Sequence, residues 1–168
     1  MSENILLDSK EAVSFRERPR AFDTIIYGGL VVGVLDGLAA VVNAGLRGTS
    51  PTHVFQYIAG GLLGRESFSG GLITALLGIL LHFFIAFMVA AVYYGASLRF
   101  PVLIRQAVIW GMIYGVMVYF VMSYVVMPLS ATPKFPFSLA ALLTGVIIHI
   151  FFVGLPIALI AQRSAKAI

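Results

Sequence analysis

Asp36, His82, Tyr114 and His149 can each hold or pass a proton, and each stands in a segment nearly bare of charge. Asp36 is the only Asp, Glu, Lys or Arg between Asp23 and Arg47, and the runs Ser67 to Leu98, Gln106 to Pro133 and Phe135 to Gln162 contain none. One carboxylate with two imidazoles supports three kinds of chemistry. As mutual hydrogen-bond partners they would form a structural clasp, with Asp36 and Tyr114 satisfying the imidazoles. As titrating groups beside water they would form a proton, ion or small-solute pathway. As ligands, His82 and His149 would hold a b-type haem, or with Asp36 a metal ion; this is the alternative to an expected absence of cofactor.

Whether these groups meet depends on the helices that carry them. The chain has 168 residues, of which 60% are hydrophobic and 11% charged. A soluble domain carries about 25% charged residues, so a chain this poor in charge cannot clothe a water-facing surface. About twenty apolar residues at 1.5 Å each cross a hydrocarbon core of about 30 Å. The charge-free runs therefore predict four spans, Ile25 to Leu46, Gly71 to Ala96, Leu103 to Val126 and Ser138 to Ala161. The fold class is an all-α integral membrane protein, with residues 1–22 a cytoplasmic tail and residues 23–168 one four-helix transmembrane domain. No cleavable signal is expected, because the polar start gives way to an apolar run long enough to span.

Depth brings the four groups together. Asp36 is eleven residues from Ile25, His82 eleven from Gly71, Tyr114 eleven from Leu103 and His149 eleven from Ser138. Eleven residues rise about 16 Å, which places all four near the bilayer centre. An ionisable group there costs about 2.5 kcal/mol or more and needs a partner, so a hydrogen bond from Asp36 to His82 or His149 is expected. Gly29, Asp36 and Asn43 recur at every seventh residue, adding Asn43 to the same helix face.

Charge outside the spans sets orientation. Lys10, Arg16, Arg18, Arg20, Arg99, Arg105, Arg163 and Lys166 fall on one side, and only Arg47, Arg65 and Lys134 on the other. The positive-inside bias makes both termini cytoplasmic, in a bacterial inner membrane. The Arg16 to Arg20 run then rests against anionic headgroups, and a nucleic-acid partner is not expected. Trp110, Tyr27, Tyr93 and Tyr94 are read as an inner aromatic belt and Tyr124 as an outer one. On the outer side, Ser50 and Pro51 start a helix reaching about Leu63, too short to cross and read as interfacial or re-entrant. His53, Gln56, Arg65 and Glu66 are read there as solvated groups, and Ser138 as the cap of the fourth span.

Small residues show how spans pack. Gly29, Gly33 and Gly37 in span one, Gly78 in span two, Gly111 and Gly115 in span three and Gly145 in span four allow close helix approach, the main source of association in lipid. Gly78 and Gly145 each precede a histidine by four residues, which suggests two tandem helical hairpins, the first carrying the Pro51 to Leu63 insertion. A homo-oligomer would use the glycine faces or that short helix. The methionines of span three fill packing gaps. No Ser-His-Asp triad can be assembled, since Ser123 and Ser130 lie about half a membrane from Asp36, and no catalytic role is expected.

His82 followed by Tyr93-Tyr94, the Pro128-Leu129 to Pro133-Lys134 turn and the Gly145-x-x-x-His149 motif resemble the YagU-type small bacterial inner-membrane proteins over roughly residues 70–163. The resemblance implies location and architecture, and it carries no catalytic residues.

Overall fold

The computed structural model describes residues 18–133 and 138–166. The remainder of the expected tail and the Lys134 to Phe137 part of the proline-rich turn lie outside the described residues. Among the described residues there are six helices and no strand. The long helices are α1 (Phe22–Gly45), α3 (Gly71–Arg99), α5 (Ala107–Leu129) and α6 (Leu139–Lys166), and each is long and apolar enough to cross a membrane. The short ones are α2 (Pro51–Leu63) and α4 (Val102–Arg105). This is the expected all-α chain with four candidate spans. Its burial pattern is that of a protein dissolved in lipid, with Leu72, Ile73, Leu80 and Phe84 outside and Gly, Ala, Thr and Ser inside.

Helix ends follow local chemistry. The Ser50 hydroxyl accepts from the His53 amide at 3.3 Å with Pro51 in the first turn, and the Ser138 hydroxyl accepts from the Ala141 amide at 3.4 Å. The third span starts at Ala107 rather than Leu103, because the chain breaks at Gln106 (φ −115°, ψ 49°) after the one-turn helix α4. That break leaves carbonyls exposed, and side chains cover them: the Tyr93 hydroxyl donates to Leu103 O at 2.9 Å and the Gln162 amide to Ile104 O at 2.7 Å. Tyr93 is therefore fully buried and is not part of an aromatic belt, whereas Tyr27 and Tyr124 do lie on the outside.

Three stretches widen to i→i+5 hydrogen bonding: Phe22–Tyr27, Met122–Val126 and His149–Gly154. Two of them end two residues before a proline, Pro128 in α5 and Pro156 in α6. Proline supplies no N–H to the preceding turn and its ring presses on the carbonyl four residues back, so the turn before it opens.

The spans form a ring with one loose side. α1 packs on α3 and α6, and α6 packs along α5, but the α3 and α5 backbones barely approach each other. Tyr114 bridges that side, donating its hydroxyl to Val89 O at 2.6 Å and meeting Tyr93 edge-on at 5.0 Å between centroids. The apolar core gathers around these tyrosines, with Ile104, Val118, Val153 and Ile157.

α2 packs on α3 and touches α1 at one end of the ring. Its Phe55 carbonyl occupies the space where Gly78 lacks a Cβ, and the Gly61 carbonyl accepts from the Ala131 amide at 3.1 Å. The Tyr57 hydroxyl donates to Pro133 O at 3.2 Å, and burial pushes its pKa above the ordinary value, which keeps it a donor. Gln56 is buried rather than solvated, donating to Gly71 O at 3.0 Å and Thr74 Oγ1 at 3.4 Å. His53 is exposed and stacks on Phe68 at 4.6 Å.

Candidate functional site

Asp36, His82 and His149 line one cavity of about 220 Å³ inside the ring of spans. All four spans contribute to it, and Ile58 of α2 joins the lining. Apart from the three polar residues its walls are aliphatic and methionine, including Val32, Val118, Met122 and Val153. The volume is room for several waters.

The glycine at 37 explains how His82 gets there. A methyl group on Gly37 would come to 3.2 Å of His82 Nε2, so the bare backbone leaves space for the ring to approach α1. The imidazole then reaches the main chain of α1, with Nε2 2.8 Å from Gly33 O. A carbonyl can only accept, so Nε2 carries the proton and Nδ1 is left as an acceptor. Phe55 and Phe83 meet the ring edge-on at 6.4 and 5.8 Å and hold its plane.

His149 is held differently. Its Nδ1 donates to Gly145 O of its own helix at 2.8 Å, which leaves Nε2 as the acceptor. Tyr119 meets it edge-on at 5.4 Å, and the Tyr119 ring in turn fills the space where Gly145 has no side chain. His149 also begins the widened His149–Gly154 turn, so Pro156 helps to set where its ring emerges.

The expected hydrogen bond from Asp36 to a histidine is absent. Both imidazoles give their N–H to a carbonyl, and among the described residues the Asp36 carboxylate has no hydrogen bond or ion pair. A backbone carbonyl made reachable by glycine replaced the carboxylate as partner, because an N–H within reach of a fixed carbonyl gains a bond without moving a side chain. Asp36 is left with an unengaged carboxylate in the cavity wall.

The other expected members stand elsewhere. Tyr114 is spent on Val89 O and lines the adjoining space between α3 and α5 rather than the Asp36 cavity. Asn43 accepts from Arg47 at 3.0 Å, one turn on, at the C-terminal end of α1. The expected packing glycines all sit at contacts within the chain, except that their partners vary: Phe87 against Gly29, Phe83 against Gly33, and the α6 backbone against Gly111 and Gly115. These glycine positions meet neighbours of the same chain.

Among the described residues no three His, Asp or Glu side chains come close enough to share a metal ion. Sequence reasoning passed over Ile58 and Pro156; the second was signalled by a proline inside a span.

Comparison of the chain with protein-family models, curated proteins and solved structures finds no match.

Proposed function

We propose that this multi-pass membrane protein binds a proton or small cation in its central cavity and passes it across the bilayer, with Asp36 as the binding group and His82 and His149 as acceptors beside it. The observation that carries the reading is the Asp36 carboxylate, which has no partner among the described residues yet shares a cavity with two imidazoles already anchored to backbone. A purely structural clasp would have paired these groups with one another, since an unpaired polar group in a span costs stability and returns nothing. The charge asymmetry supports a bacterial inner membrane with both termini cytoplasmic, as does the resemblance to YagU-type proteins.

Reconstituted vesicles containing a pH-sensitive dye test the reading. Under an imposed potential the wild type should acidify or alkalinise the lumen, and Asp36→Asn should lower that flux at least about tenfold. His82→Gln and His149→Gln should lower it less. Folded variants that conduct like the wild type would overturn the proposal. A reporter fused after Ile168 should be active only on the cytoplasmic side.

A further inference from the structure

We infer that the Asp36 cavity, together with the apolar crevice that shares its wall, takes lipophilic organic cations from the hydrocarbon of the bilayer, entering sideways between α3 and α5. The inference rests on the cavity being a cation site, and it adds a substrate class and a route. α3 and α5 are the one neighbouring pair in the ring whose backbones do not pack. Between them lies an apolar crevice of about 320 Å³. Its rim is open, with Phe84 61%, Met88 50% and Met117 54% exposed, while Tyr114 and Val118 at its floor are each 8% exposed. The rim lies along the middle of two membrane-spanning helices, where acyl chains and not water are the solvent.

The crevice and the polar cavity share a wall. Ile85, Val89, Val118 and Met122 line both spaces, so a single layer of aliphatic and methionine side chains separates lipid from Asp36. Such a layer can part by side-chain rotation, with no helix movement, and Met122 is unbranched and adaptable. Methionines also stand on either side of it, Met88 and Met117 at the rim and Met127 in the cavity. Walls of this kind accept apolar groups of varied shape.

Charge selects the occupant. Among the described residues the Asp36 carboxylate faces no cation of its own chain, and the nitrogens that His82 and His149 leave over are acceptors. An apolar space ending in a carboxylate is the complement of a cation wrapped in hydrocarbon. That molecule dissolves in the bilayer, reaches the rim without dehydrating, and gains the carboxylate only inside. An anion would be repelled, and a neutral chain would find no partner for its entry.

Tetraphenylphosphonium binding to the purified protein in lipid nanodiscs is the test. Wild type should bind it saturably, and Asp36→Asn should weaken binding at least about tenfold. Met88→Trp and Met117→Trp add bulk at exposed rim positions, where folding is little affected, and should slow association several-fold with the Asp36-dependent proton flux intact. Unchanged association in both tryptophan variants would overturn the lateral route. Absence of saturable binding while that flux persists would overturn this inference alone, and absence of both would overturn the cation site as well.

Discussion

The two helical hairpins close their seams by opposite means. Where α1 meets α3, glycines form notches that rings fill: Phe87 at Gly29, Phe83 at Gly33 and His82 at Gly37. Where α5 meets α6, main chain lies on main chain, with Gly111 and Gly115 against the His149 to Leu155 backbone and Gly154 against Gly111 and Gly115. The same residue type serves both, but in the first seam it makes room for a side chain that can reorient, and in the second for peptide groups that cannot. It is in the ring-filled seam that an imidazole bridges to a neighbouring helix. In the backbone seam His149 meets the Tyr119 ring edge-on but gives its N–H to a carbonyl of its own helix.

The largest effect expected from that contrast is at Gly115. A methyl group there would collide with the His149 carbonyl and come to 2.7 Å of the Ile150 Cα, and no side-chain rotation relieves either contact. Gly115→Ala should destabilise by about 3 kcal/mol in detergent unfolding, the upper range for overpacking. Gly33→Ala meets only the Phe83 ring and should cost about 1 kcal/mol. Equal losses would erase the distinction between the seams.

The pair Gly78 and Gly145, each four residues before a histidine, gives a smaller contrast with the hairpins reversed. A methyl on Gly78 would strike the Phe55 carbonyl of α2, whereas one on Gly145 would meet the Tyr119 ring. Gly78→Ala should cost about 2 kcal/mol and raise amide exchange across α2, as its docking on α3 is lost. Gly145→Ala should cost under about 1 kcal/mol and leave α2 protected. Protection of α2 in both variants would place its anchorage at Gln56 and the Gly61 carbonyl instead.

Spans and the depth of polar groups were legible because they depend on one-dimensional quantities, charge spacing and helix rise. Asp36, His82 and His149 converge for that reason. Their partners were not legible, since a bond depends on rotation about each helix axis and on how near a glycine lets a neighbour come. Gln56 and Tyr93 illustrate the second limit: both read as boundary residues by position along the chain, and both are buried because a neighbouring segment, α3 for one and the broken turn at Gln106 for the other, supplies acceptors. Pro128 and Pro156 were visible as prolines, but the widened turns before them belong to the three-dimensional helix.

The histidines themselves give the smallest difference, and the one closest to function. The His82 bond to Gly33 O joins two helices, and cross-helix bonds in lipid contribute about 0.6 kcal/mol on average and up to about 1.7. His82→Ala should therefore destabilise by about 1 kcal/mol. The Gly145 carbonyl keeps the His149 backbone N–H as donor when the ring is removed, so His149→Ala should change stability by under about 0.5 kcal/mol. Proton flux should instead fall in both variants, because both rings line the Asp36 cavity whatever they contribute to folding. Calorimetric or detergent unfolding alongside vesicle flux separates the two roles: loss of flux in His149→Ala without loss of stability marks a residue kept for the cavity, and equal destabilisation of both variants would make the hairpins energetic equivalents despite their different seams.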